Sequence, residues 1–196
     1  DAIGAGLVVA TARTELERSA STGAMVVTAP PGTGKTTFVP PLIAHLVAER
    51  AGERPADAPL PRVLLTQPRR VAVRAAARRI SQLDRSALGG PVGFTVRGER
   101  KVGRDTQLEV LTPGVLLRRL ISDPGLDDIG AVILDEIHER SVDGDLLLGL
   151  IAEVRALRDD LIVVAMSATL DAAHVAELLG AASGTGPAQI AEVPSA

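Results

Sequence analysis

Two short stretches hold the residue types that grip phosphate and activate water. In the first, Pro30-Pro31-Gly32-Thr33-Gly34-Lys35-Thr36-Thr37 follows the apolar, β-branched run 25–29 and precedes a segment containing Phe38, Val39, Leu42 and Leu46. Strand, glycine loop, helix is the order a polyphosphate requires. Backbone N–H groups and the helix N-terminus surround the phosphates, the Lys35 ammonium adds a point charge, and the Thr36 hydroxyl ligates a divalent cation. The candidate nucleotide-binding set is therefore Pro31, Gly32, Thr33, Gly34, Lys35, Thr36 and Thr37. Ala29 stands where this loop pattern usually has its first glycine, while Gly32 and Gly34 preserve close backbone approach. The plain alternative is a glycine turn with an incidental lysine. The flanking strand and helix weigh against it, as does Lys35 being one of only two lysines in the chain.

The second stretch is an apolar run, Ala131-Val132-Ile133-Leu134, ending in Asp135-Glu136 and continuing as Ile137-His138-Glu139-Arg140-Ser141. In a doubly wound sheet the C-terminal ends of the strands face the ligand crevice, which would bring these carboxylates near the phosphates. Asp135 would hold Mg²⁺ through water, with Thr36 and Glu136 beside it. Glu136 would orient and deprotonate an attacking water. Alone, such a cluster also fits a solvated helix start, where acidic residues are favoured. A metal-ligand role for His138 finds little support, because the chain has no cysteine and position 142, where an HExxH pattern needs its second histidine, is Val. His138 is better placed in the catalytic set, with Lys35, Asp135 and Glu136.

The elements that must position these residues read as repeated βα units, hence an α/β fold with a mostly parallel sheet and helices on both faces. Strands are expected at 25–29, 62–67, 107–112, 130–135 and 161–166, with a further short one around Phe94. Helices are expected at 6–20, 35–50, 69–84, 113–121, 143–157 and 171–180. Residues 51–62 read as a surface loop, and the Gly-, Ser-, Ala- and Pro-rich stretch 183–196 as a loose tail or the start of a linker.

Composition bounds the function. The chain has 196 residues, 46% apolar and 23% charged, enough for one domain with a sizeable core and too short for a second. No apolar stretch has membrane-spanning length and no leader pattern precedes the first strand, so a membrane role is not expected. The absence of cysteine fits a reducing cytoplasm. With 21 basic and 24 acidic residues, any nucleic-acid contact must be local rather than bulk-electrostatic. Phe38 and Phe94 are the only aromatic residues, which argues against base-stacking platforms and leaves contacts to the sugar-phosphate backbone. In the segment after residue 69, Val73, Ala76, Ala77, Ile80 and Leu83 form an apolar stripe, while Arg70, Arg74 and Arg78 share another face.

Together these stretches resemble a known family. Asp135-Glu136-Ile137-His138 resembles the DExH box of superfamily 2 helicases, and Asp-Glu-Ile-His-Glu-Arg-Ser the DEAH/RHA group within it. Thr66-Gln67-Pro68-Arg69-Arg70-Val71-Ala72 is similar to that group's motif Ia, Thr112-Pro113-Gly114 to motif Ib, and Ser167-Ala168-Thr169 to motif III. Ala29-Pro30-Pro31-Gly32, Val96-Arg97-Gly98-Glu99 and a residue other than alanine at 137 lean towards the bacterial HrpB-type branch, although that branch usually has Phe where this chain has Ile137. The resemblance implies a RecA-like lobe over residues 1–182 that binds ATP and Mg²⁺. It also implies a second RecA-like lobe of the same polypeptide, whose motifs this sequence lacks, as expected of a fragment. Single-stranded nucleic acid, RNA more than DNA, would contact Arg69, Arg70, Arg97 and Thr112. Arg79 would stack on the nucleotide base, and Ser167 and Thr169 would couple the γ-phosphate state to lobe movement. Two other readings stay open: a different P-loop ATPase, and a nucleotide-switched binding module without unwinding activity.

Overall fold

The computed structural model describes residues 8–52, 60–168, 172–181, 184 and 186–193. A 3-10 turn at Val8–Ala12 leads into α1 (Arg13–Ser21), and the chain then alternates strand and helix: β1 (Ala24–Thr28), α2 (Lys35–Arg50), β2 (Arg62–Thr66), α3 (Arg70–Leu83). The hairpin β3 (Val92–Val96) and β4 (Glu99–Lys101) follows. Then come β5 (Leu108–Leu111), α4 (Pro113–Ser122), β6 (Ile129–Leu134), α5 (Val142–Leu157), β7 (Ile162–Ser167), α6 (Ala172–Ala181) and β8 (Gln189–Glu192).

The eight strands form one sheet in the order β4-β3-β5-β2-β6-β7-β1-β8, and only the β3–β4 pair is antiparallel. Parallel strands buried on both faces need apolar residues at every position, which is why β6 and β7 are buried throughout. Alternate residues serve two separate cores. Met25, Val27, Ile133 and Val164 join the core under α1, α2 and α3, whereas Val26, Val132, Val163 and Ala165 join the one under α4, α5 and α6. Because these strands are all parallel, the C-terminal ends of β1, β2, β5, β6 and β7 meet at one edge of the sheet.

The five strands expected from periodicity are all present, and Phe94 lies in β3. Two elements were not expected. β4 is three charged residues with no apolar alternation, held by its antiparallel pairing with β3 across the turn at Arg97-Gly98, where Gly98 has φ 85°. The stretch expected as a tail from Ser183 instead contains β8, which pairs in parallel with β1 and buries Ala191, with Val193 buried directly after it. Its composition conceals it because an edge strand needs only one buried row. The helix expected at 6–20 begins as the 3-10 turn and becomes α-helical at Arg13.

Glycines at two helical positions have opposite surroundings. A Cβ on Gly149 in α5 would meet nothing within 4 Å, whereas one on Gly180 in α6 would stand 1.8 Å from the Gly186 carbonyl oxygen, on backbone that leads into β8. Gly149→Ala is therefore expected to stabilise the domain by about 0.4–1 kcal/mol. Gly180→Ala is expected to cost about 1–3 kcal/mol through overpacking. Urea denaturation of both variants measures the pair, and equal shifts would contradict the packing described at α6.

Candidate functional site

The phosphate loop occupies the turn from β1 into α2. Gly32 and Gly34 have φ values of 82° and 88°, in the left-handed region that glycine enters without strain. Thr33 is buried and its hydroxyl donates to the Pro30 carbonyl at 2.9 Å, which fixes the loop from within. Lys35 opens α2 with only 5% of its surface exposed, so its ammonium is held at the loop rather than in solvent.

Opposite it, at the end of β6, Asp135 is 5% exposed and accepts three hydrogen bonds. Thr36 Oγ1 and Gln67 Nε2 each donate to Oδ2 at 2.6 Å, and the Glu136 N–H donates to Oδ1 at 2.8 Å. Burial pushes the Asp135 carboxyl above its ordinary range, the Thr36 hydrogen bond opposes that, and the neighbouring Glu136 charge adds to it. One carboxylate thus joins the loop after β1, the end of β2 and the end of β6. Gln67 was not singled out as a site residue from the sequence. Its signal is positional, being a polar residue directly after a strand that neighbours the one ending in Asp135.

Glu136 adopts φ 56°, a left-handed conformation that costs a non-glycine residue about 1–3 kcal/mol. The turn is held by Ile137 N–H donating to the Met166 carbonyl and Glu139 N–H to the Glu136 carbonyl. The strained turn directs the Glu136 carboxylate between two cationic or potentially cationic groups: Oε1 lies 3.8 Å from Lys35 Nζ and Oε2 3.1 Å from His138 Nε2. On its other side the imidazole accepts the Ala168 N–H at Nδ1, 3.2 Å away, with Ser167 Oγ at 3.5 Å. Since Nδ1 accepts, the proton of the neutral ring sits on Nε2 and is donated to Glu136. The catalytic candidates Lys35, Asp135, Glu136 and His138 are therefore one contiguous group. Ser167 joins them, and Thr169 lies outside the described residues.

Beside this group runs a surface groove of about 430 Å³ lined by Pro68, Arg97, Thr112, Gly114, Arg118 and Val142, among others. Two of the four nucleic-acid candidates, Arg97 and Thr112, line this groove, and Pro68 brings part of the motif Ia segment to the same place. Arg118 is an exposed cation in this groove that was not singled out. Arg69 forms an ion pair with Glu139 and so ties motif Ia to the loop after Asp135. Arg70 is exposed at the first turn of α3, and Arg79 is exposed further along the same helix, next to buried Ile80. Arg74 is paired with Glu99 of β4, 2.7 Å away.

Comparison with known proteins places this geometry in context. The family described as DEAD/DEAH box helicase matches residues 12–178. The chain is 41% identical over 157 residues to the ATP-dependent RNA helicase HrpB of Escherichia coli (strain K12), covering 79% of this chain and 18% of that protein. It is 38% identical over 141 residues to a probable ATP-dependent RNA helicase DHX35 homolog of Caenorhabditis elegans, covering 72% of this chain and 18% of the relative. It is also 40% identical over 148 residues to the DExH-box ATP-dependent RNA helicase DExH1 of Arabidopsis thaliana, covering 76% and 14%. The chain thus spans less than a fifth of the length of these relatives. With its motifs assembled at one edge of a parallel sheet and the family match running through nearly the whole sheet, this chain belongs to the DEAD/DEAH box helicase family.

Proposed function

We propose that the chain is the nucleotide-binding first lobe of an ATP-dependent RNA helicase, coupling ATP hydrolysis to movement along single-stranded nucleic acid. The observation that carries the reading is the single group in which Asp135 bonds the phosphate-loop Thr36 while Glu136 is held between Lys35 and His138. The names of the relatives favour RNA over DNA. The exposed arginines of the groove suit a phosphate backbone, because a guanidinium can donate two parallel hydrogen bonds to it.

The oxygen donors fit Mg²⁺. Thr36 Oγ1 and Asp135 Oδ2 lie 2.6 Å apart, a hydroxyl and a buried carboxylate of the hard type this cation prefers. Among the described residues no cluster of three or more His, Cys, Asp or Glu could hold a metal, so Thr36 and Asp135 would share the ion with phosphate oxygens and water. When bound, Mg²⁺ neutralises charge on the β- and γ-phosphates. Glu136, both of whose oxygens are engaged by Lys35 and His138, is better placed to take the proton of the attacking water than to ligate metal. His138 holds Glu136 through Nε2 and reads the 167–168 segment through Nδ1, which makes it the physical link between the water-activating carboxylate and motif III. Loop backbone from Gly32 to Thr37 would cradle the phosphates, and Arg79 would cover the base. The second lobe supplies the charge that completes stabilisation of the transferring phosphoryl group, so this lobe alone should hydrolyse ATP slowly and unwind nothing. A cytoplasmic location is part of this proposal. No helix among the described residues is long and apolar enough to cross a membrane.

Steady-state hydrolysis by the full-length protein, with and without single-stranded RNA or DNA, tests the reading. Strong stimulation by RNA is expected. No stimulation by either polymer would favour a nucleotide-switched binding module instead. In the same assay Glu136→Gln should lower the stimulated kcat by about 10²- to 10⁴-fold while nucleotide binding persists. His138→Ala removes one charge-assisted hydrogen bond and should lower kcat roughly 10- to 100-fold, with KM for ATP little changed. An unaltered kcat in Glu136→Gln would sink the catalytic assignment.

A further inference from the structure

A second carboxylate, with no part in nucleotide chemistry, is buried in this sheet. Glu109 in the middle of β5 has none of its surface exposed. Arg119 Nη2 lies 3.0 Å from both of its oxygens, Arg62 Nη1 lies 3.2 Å from Oε2, and the Thr95 hydroxyl donates to Oε1 at 2.6 Å. Taking the Glu109 carboxylate wholly out of water costs several kcal/mol, while Arg62 and Arg119 each keep 23% of their side-chain surface exposed, and apolar side chains of similar volume often serve stability as well or better. Stability alone is a weak reason for this cluster.

Its partners point to another reason. Thr95 lies in β3, two residues before Arg97. Arg119 lies in α4, which starts directly after Thr112 and carries Arg118 as the preceding residue. Neighbours on a helix point about 100° apart, so fixing Arg119 inward on Glu109 fixes Arg118 outward, where it lines the groove with Arg97 and Thr112. Arg62 meanwhile donates to the Thr106 carbonyl at 2.9 Å, holding the return of the β3–β4 hairpin against β2. Both walls of the groove therefore hang on one carboxylate.

The geometry points to Glu109 as the positioning residue of the nucleic-acid groove, setting the separation between Arg97 on the hairpin and Thr112 and Arg118, which stand directly before α4 and on it, to suit the phosphates of a single strand. This rests on the nucleic-acid reading above. Glu109 touches neither phosphate nor nucleotide; it acts through Thr95 and Arg119.

The test uses the full-length protein and a labelled single-stranded RNA, with binding read by fluorescence anisotropy across a range of salt concentrations. Thr95→Val removes the hydroxyl and keeps the shape and strand preference. Glu109→Gln removes the charge. Thr95→Ser keeps the hydroxyl, and Val163→Ala, in the buried centre of β7, is a control for lost stability remote from the groove. Thr95→Val and Glu109→Gln are expected to weaken binding about tenfold near 0.1 M salt and to reduce the slope of log affinity against log salt by about one, the signature of one lost phosphate contact. Thr95→Ser should keep the wild-type slope, and hydrolysis without RNA should stay within about twofold in all the variants. Should Glu109→Gln fail to fold, Thr95→Val still decides. A wild-type slope in Thr95→Val, or the same change of slope in Val163→Ala, would overturn the proposal. A wild-type protein that binds RNA without stimulated hydrolysis would remove the helicase reading and leave the role of Glu109 standing, whereas one that binds no single strand would overturn both.

Discussion

The buried Asp135 carboxyl has no cationic group in direct contact with it. Its three hydrogen-bond donors are a hydroxyl, an amide and a backbone N–H, all neutral, and burial raises its pKa. A buried group of this kind is tolerated only where it is fully hydrogen-bonded, and supplying those donors dictates much of the surrounding structure. Thr36 must lie in the first turn of α2, Gln67 must follow β2, and β6 must lie beside β2 in parallel. The P-loop, motif Ia and the DExH box are separated by many residues in the sequence, and they meet because one carboxylate requires all three.

The same constraint explains the strain after it. To reach Lys35 and His138, the chain turns sharply at Glu136 into a left-handed conformation that a glycine would adopt freely. A glycine could make the turn but would supply no base. The conformation is instead held by Ile137 bonding to β7 and by His138 bonding to Ala168, so the residue that would activate water is fastened to the segment that would respond to nucleotide state.

Much of this was legible in the sequence. The fully apolar strands, the glycine loop and the two carboxylates announce themselves because parallel strands need continuous hydrophobic runs and phosphate loops need glycine. Arg97 and Thr112 were legible only through resemblance, and the groove they share confirms that they are neighbours without showing what they bind. What stayed hidden depends on pairing between distant segments. β4 has no apolar alternation to betray it, and β8 is disguised by Gly and Pro. Gln67 and Glu109 look like ordinary strand residues until the sheet order sets Gln67 beside Asp135 and Glu109 beside Arg62 and Thr95.

Asp135 and Glu109 show how the partners of a buried carboxylate separate a reaction site from a scaffold. Glu109 is matched by two guanidinium groups, so the cluster is complete and has no remaining need for a cation. Asp135 has neutral donors, with Lys35 acting on it only at a distance, so its cluster retains negative charge beside the phosphate loop. Either arrangement satisfies the hydrogen bonds, and only the second leaves the carboxylate without a cation in direct contact, the condition under which a divalent cation would be favoured. Glu109 lies on β5 and Asp135 directly follows β6, the strands flanking β2, and both have partners on or directly after β2: Arg62 for one and Gln67 for the other. β2 is therefore the element that the two clusters have in common.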